Sequence, residues 1–379
     1  MYSFMTPPIG LNTQQNKLDW LRLIRSENVG PRTFQKLLLH FGDAATALKH
    51  LPDMAKRGGR SKPIKLCPQS DAERELADGE RLGGTLLIQA EQAYPQLLGT
   101  IDDAPPVLWA RGDLGLLNRP AIAIVGARNA SLNGRNITRR MAADLGRAGM
   151  VVVSGLARGI DGSAHEGAMS TGTVAVMAGG FDVVYPPEHA EMYRILVETG
   201  LALSEHPPGT QPQSGHFPRR NRIVSGMSLG VVVVEASLKS GSLITSKMAV
   251  EQNREVFAVP GSPLDPRAQG PNDLLRHGAT LAEGAADILE ALAPMLHRPL
   301  QEGEALTIPR AKTQDISENE LKIARTPIIE CLGYAPVTVD EILRQCQLSP
   351  ALVSLVLLEL ELAGRLERQS GNRVSLLSD

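Results

Sequence analysis

The sequence predicts an α/β protein with helical modules at both ends, and three patterns carry that prediction. Between residues 121 and 259, six short apolar runs alternate with helical stretches. A helix, Gly-Pro break, helix outline precedes them, and a three-helix pattern closed by a hairpin follows. Strand–helix alternation places helices on both faces of a parallel sheet. The central domain is therefore expected to be a Rossmann-like, doubly wound, mostly parallel sheet.

Taken in order, residues 16–51 read as helices, with Leu18, Leu21, Leu23 and Ile24 on one face. Val29-Gly30-Pro31 breaks the pattern, and Phe34, Leu37, Leu38 and Phe41 resume it. This is the outline of a SAM-like or helix-hairpin-helix module, which can grip a DNA backbone or simply pack. The basic, turn-rich stretch 56–65 reads as a surface loop. The N-terminal domain with its connector is set at residues 1–100. The sheet domain, 101–297, has strands at 121–125, 151–154, 173–177, 201–204, 231–234 and 255–259. Helices are expected near 135–148, 162–171, 188–199 and 242–252. The strands are nearly continuous runs of Val, Ala, Ile and Leu, as parallel strands buried on both faces require. Residues 298–317 lose periodicity and read as a linker. In 318–379, helices at 321–332, 339–346 and 350–363 precede a hairpin over 365–377 that turns at Ser370-Gly371-Asn372. That is a winged-helix domain.

The bulk numbers exclude more than they assign. Hydrophobic residues make up 42% and aromatic residues 3%, so the core is aliphatic. Net charge is −2, so any polyanion surface must be local. Cys67, Cys331 and Cys346 lack zinc or redox spacing and read as buried thiols. No apolar run approaches the ~18 residues of a membrane span. The start, Met1-Tyr2-Ser3-Phe4, lacks a signal-peptide pattern, and a cytoplasmic location is expected.

Ligands of open parallel sheets bind beyond the carboxyl ends of the strands. There the sequence places Gly126, Arg128 and Ser131 after the first strand, and Ser154, Gly155, Arg158 and Gly159 at the second. Gly179-Gly180, then Ser240, Gly241, Ser242 and Thr245, then Pro260-Gly261-Ser262 follow later strands. Glycines let backbone N–H groups approach an anion, and a serine opening a helix adds a hydroxyl at its positive end. One such loop alone is more simply a tight turn; several at one sheet edge point to phosphate.

Charge agrees. Residues 119–158 hold seven arginines against one acid, Asp144, and Phe217 is followed by Arg219, Arg220 and Arg222. Arginine concentrated in a chain of net charge −2 suggests a polyanion surface. Catalytic readings are weaker. Asp161 and His165 share one helix face, so a Ser154/His165/Asp161 triad is less plausible than a capping Asp161 and a packed His165. No metal motif and no GxGxxG loop are present, and no cofactor is expected.

These residues resemble the DprA/Smf family of DNA-processing proteins across residues 94–279. The matching motifs are Ile124-Val125-Gly126-Ala127-Arg128, Ser154-Gly155-Leu156-Ala157-Arg158-Gly159-Ile160-Asp161 with Ala164-His165, and Tyr185-Pro186. Further on come Ser204-Glu205, Phe217-Pro218-Arg219-Arg220-Asn221-Arg222-Ile223, Ser240-Gly241-Ser242-Leu243-Ile244-Thr245 and Val259-Pro260-Gly261. The resemblance implies a non-enzymatic protein that binds single-stranded DNA with little sequence preference. It further implies dimerisation through the Rossmann-like domain and loading of RecA recombinase during natural transformation. Arg128 resembles the family's DNA-contacting arginine. A lysine that some members carry after Tyr-Pro is replaced by Pro187, leaving Arg219, Arg220 or Arg222 to compensate. The alternatives are a nucleotide phosphoribohydrolase-like enzyme, although the loop 239–245 lacks an acid, and a winged-helix transcription regulator.

Three finer expectations concern stacking, assembly and the last domain. Base stacking should be weak, because Phe181, Tyr185 and Phe217 all read as potential core, with Phe217 the best contact. Residues 272–279 are as consistent with a dimer interface as with a core helix. The helix at 351–363 contains Glu359 and Glu361 but no Lys, Arg, Asn or Gln, so it suits packing or a protein partner better than DNA.

Overall fold

A computed structural model of the chain describes residues 14–296, 318–369 and 371–377. The expected linker at 298–317 and residue Ser370 of the turn lie outside them. The first module is helical: α1 (Gln14–Arg25), α2 (Pro31–Phe41), α3 (Ala44–Arg57) and α4 (Gln69–Arg81). Pro31 opens α2, where its missing N–H costs nothing. Asp43 caps α3 by accepting from the Thr46 N–H at 2.7 Å.

The sheet begins earlier than residue 101. Strand β1 (Thr85–Ile88) is followed by the single turn α5 (Gln96–Gly99) and β2 (Val107–Gly112). β1 and β2 pair antiparallel, and β2 joins the main sheet antiparallel to a later strand. Then come β3 (Ala121–Gly126), α6 (Leu132–Arg147), β4 (Val151–Ser154), α7 (Ile160–Ala168), β5 (Thr173–Val176), α8 (Ala190–Thr199), β6 (Leu201–Ser204), α9 (His216–Gly226) and β7 (Gly230–Val234). The domain closes with α10 (Gly241–Glu251), β8 (Glu255–Ala258), α11 (Gln269–Arg276), β9 (Thr280–Leu281) and α12 (Ala285–Leu296). The order is β1-β2-β6-β5-β4-β3-β7-β8-β9, parallel from β6 to β9. The six expected strands thus form the parallel body of the sheet, to which β9 adds a short parallel edge strand. The antiparallel extension and α9 are additions, because Phe217 to Arg222 read as a charge run rather than as a helix.

Trp109 on β2 fastens the helical module to the sheet. It is fully buried, and a side chain at Gly79 of α4 would meet its ring at 2.1 Å. Its indole N–H donates to Glu75, which also receives two bonds from Arg25.

The C-terminal domain comprises α13 (Glu318–Glu330), β10 (Val337–Thr338), α14 (Val339–Cys346), α15 (Pro350–Leu362), β11 (Leu366–Gln369) and β12 (Arg373–Leu376). A Thr338–Glu341 capping box starts α14. The helix α15 is buried on nearly every side, because the domain docks on α2 and α3. Val353, Val356 and Leu360 share one core with Phe34, Leu37, Leu51 and Met54. Asn28 donates to the Leu362 carbonyl at 3.0 Å, and Thr33 to Glu361 at 2.8 Å. Glu359, with no exposure, is held by Arg57 and Arg325 at 2.6 Å each. Gly58 permits the close approach, since a Cβ there would lie 2.0 Å from the Glu359 carbonyl oxygen. The cysteines depart from the reading as buried thiols: all three are half-buried, and Cys331 and Cys346 bring their Sγ atoms within 3.4 Å where α13 and α14 end. No helix among the described residues is long and apolar enough to cross a membrane.

Candidate nucleic-acid interface

β3 lies between β4 and β7; the chain runs outward from β3 through β4 to β6, then crosses back to β7 and runs on to β9, so the strand order reverses between β3 and β7. The loops after β3 and β7 therefore border the crevice in which open sheets bind ligands. A carboxylate of the protein already occupies part of it. Glu235, directly after β7, adopts a left-handed backbone with φ of 51°. Its side chain accepts from the Ser131 N–H at 2.8 Å and from the Ser131 hydroxyl. A Cβ at Gly134 would meet that carboxylate at 2.6 Å. Thus the N-terminus of α6, the usual phosphate seat of such folds, holds an internal anion. The sequence reading missed this. Its one signal was an acid placed directly after four valines at a strand's carboxyl end. Replacing Glu235 with Ala should lower unfolding free energy by about 2 kcal/mol, because Ser131 is deprived of a charged acceptor. It should also weaken nucleic-acid binding by loosening the loop that carries Arg128. Denaturant unfolding and a binding titration check both.

The other expected site residues divide into floor and rim. Ser154 is fully buried and donates to the Ile124 carbonyl at 2.6 Å; Thr245 is also buried. Both are structural rather than surface groups. Gly126 lets β3 approach β7, since a Cβ there would sit 1.8 Å from the Val234 oxygen. Gly159, with φ of 75°, presses on the Ala127 and Arg128 carbonyls. Ser131 is committed to Glu235 and to the Gly134 N–H. Ser242 is buried and shares a hydrogen bond with Ser240, which caps α10. Gly241 beside them is exposed, with open space where a side chain would stand.

The arginines separate by their partners. Arg222 is buried and engaged by Glu205, with Asp103 at 3.9 Å, so it holds the fold together instead of facing a ligand. Arg158 is exposed and paired with Glu188. Arg128, Arg219 and Arg220 make no hydrogen bond or ion pair among the described residues. Arg128 and Arg219 are exposed, whereas Arg220 is only 5% exposed. The Arg220 guanidinium lies over Gly155, where a Cβ would meet it at 1.4 Å. A side chain there would push the guanidinium aside. Burial pushes the Arg220 pKa down, opposed by the charge of Asp161. Asp161 itself accepts from the Gly155 and Ala157 N–H groups, and its burial raises its pKa.

Ser154, His165 and Asp161 do not form a triad. His165 accepts from the Leu156 N–H through Nε2 and pairs with Thr173 through Nδ1. Thr173 donates onward to Val152, so the Nδ1 proton is on His165. Complete burial lowers its pKa to about 3 and keeps it neutral. It is a packed, hydrogen-bonded histidine, as expected.

At the rim, the Arg128 guanidinium stands 5.3 Å from the Phe217 ring centre, and Tyr185 lies 5.6 Å beyond Phe217. The side chain of α9 residue Asn221 reaches the Gly241 carbonyl at 3.5 Å, bringing α9 beside the open start of α10. Arg128, Phe217, Tyr185 and the start of α10 thus come together at the carboxyl edge, with the Arg220 guanidinium against Gly155.

Comparison with known proteins decides the family. The model of DNA recombination-mediator protein A matches residues 85–293, more than half the chain. The chain belongs to the DprA/Smf family. The DprA-like N-terminal HHH domain matches residues 14–77 and the DprA winged helix domain residues 312–372. Protein Smf of Synechocystis is 31% identical over 93% of this chain and 97% of its own length. Protein Smf of Escherichia coli is 36% identical over 82% of each. The X-ray structure of DprA from Streptococcus pneumoniae superposes with a TM-score of 0.61 at 34% identity, over 72% of this chain and 95% of that one. A DprA structure from Helicobacter pylori, described for its single-stranded DNA binding mode, matches with a TM-score of 0.51 at 30% identity, over 56% and 96%. The DprA/Smf assignment agrees with the fold and with a role in DNA processing and recombination.

Proposed function

We propose that the chain binds single-stranded DNA, with little sequence preference, along the carboxyl edge of its parallel sheet and passes it to a RecA-class recombinase. The observation that carries this reading is Arg220, a buried guanidinium without an acceptor among the described residues, within electrostatic reach of the unpaired Arg128 and next to the unpaired Arg219 on α9. A buried cation left without acceptors is costly unless a ligand supplies them. With the exposed Arg128 and Arg219, Arg220 makes three arginines free to meet a repeating phosphate chain. The relative from Helicobacter pylori supports single-stranded DNA as that chain.

On this reading the protein is a cytoplasmic carrier rather than an enzyme. A homodimer through the Rossmann-like domain would lengthen the binding edge. Leu274 and Leu275 on α11 are half-buried, and Leu281 and Leu264 nearby in sequence are 47% and 94% exposed. These leucines, with the expected 272–279 segment, mark the proposed interface. The test is a gel-shift comparison of single- and double-stranded oligonucleotides across salt. Single strands should bind more tightly at every salt concentration, and affinity should fall steeply as salt rises. Equal or stronger binding of duplex would overturn the reading.

A further inference from the structure

The structure alters the balance of the three aromatics near the carboxyl edge. Phe181 is fully buried, packed 5.8 Å from Trp109. Phe217 is half-buried, with Arg128 over its ring and Tyr185 beside it. Tyr185, read from the sequence as potential core, is 47% exposed. Phe217 thus packs against Tyr185, which keeps about half of its surface exposed. Arg128, which has no hydrogen bond or ion pair among the described residues, stands 5.3 Å from the Phe217 ring, so a free cation borders the aromatic pair.

We propose that Tyr185 is the stacking platform for one unpaired nucleobase. An exposed aromatic ring packed on a second ring that carries an arginine has the form that holds single strands without reading sequence, since every base offers a π face. In a duplex that face is already stacked on neighbouring base pairs. Tyr185 therefore contributes to choosing single over double strands, whereas the arginines set salt-dependent affinity. This inference rests on the single-strand reading above.

The test uses the full chain and an oligonucleotide series carrying one abasic site at successive positions. Tyr185→Leu should weaken binding of the intact oligonucleotide about tenfold, and Tyr185→Trp should retain it. The slope of affinity against salt should stay unchanged in both. One abasic position should weaken the parent protein and leave Tyr185→Leu unaffected. Thermal melts check that each variant is folded. Full affinity in Tyr185→Leu, or a loss that no abasic position cancels, overturns the platform. If Arg128→Ala still lowers affinity in that case, the single-strand reading survives; if the parent protein prefers duplex, that reading is what fails.

Discussion

Arg128→Ala should weaken single-stranded DNA binding by about ten- to a hundredfold, because a charge-assisted hydrogen bond contributes about 1.5–3 kcal/mol. The weakening should be alike for all sequences, as expected for a group that meets phosphate. The slope of log affinity against log salt should become shallower by about 0.7 for each phosphate that Arg128 no longer neutralises. Arg128 is exposed and has no hydrogen bond or ion pair among the described residues, so the substitution should leave stability nearly unchanged. Titrations at several salt concentrations, with a melting curve as control, measure all three. Unchanged affinity and slope in a folded variant would place the strand elsewhere.

Glu359→Ala should have the largest effect on stability and little effect on single-strand binding. Glu359 is fully buried between Arg57 and Arg325, and breaking a buried pair costs about 3–5 kcal/mol. Arg57 retains 34% side-chain exposure, so water relieves part of that cost and about 3 kcal/mol is expected. Single-strand affinity should stay within a few-fold. The same geometry explains why α15 carries Leu, Val and Glu where a DNA-reading helix needs basic or amide side chains. It packs on α2 and α3. Truncation after Pro309 should likewise spare single-strand affinity, but it also strips the apolar cover from α2 and α3. The full-length Glu359 variant is therefore the cleaner experiment. Denaturant unfolding and DNA titration check it, and a collapse of affinity in a folded variant would assign α15 a direct part in binding.

The parallel strands were legible because each is a short aliphatic run bounded by glycine or serine, and their order in the chain marked the carboxyl edge. The winged-helix elements were legible from Thr338, Ser349-Pro350 and Gly364, which start and stop helices by local chemistry. What was hidden depended on distant partners. Arg220 and Arg222 look alike in sequence, yet Arg222 is held by Glu205 and Asp103 while Arg220 is left without an acceptor among the described residues. Nothing near Ser131 reveals that Glu235, over a hundred residues later, takes its hydroxyl. Tyr185 and Phe181 have similar apolar neighbours, but only Phe181 is covered by the sheet's antiparallel extension through Trp109.

The central claim is tested most directly by hydrogen–deuterium exchange of the full chain with and without a single-stranded oligonucleotide. Binding along the carboxyl edge should slow exchange in the loops at 126–131, 155–159 and 238–242 and at the start of α9. It should leave α15 and the amino ends of β3, β4 and β5 unchanged. Protection confined to the winged helix or to α1–α4, with the carboxyl-edge loops exchanging as before, would contradict the account.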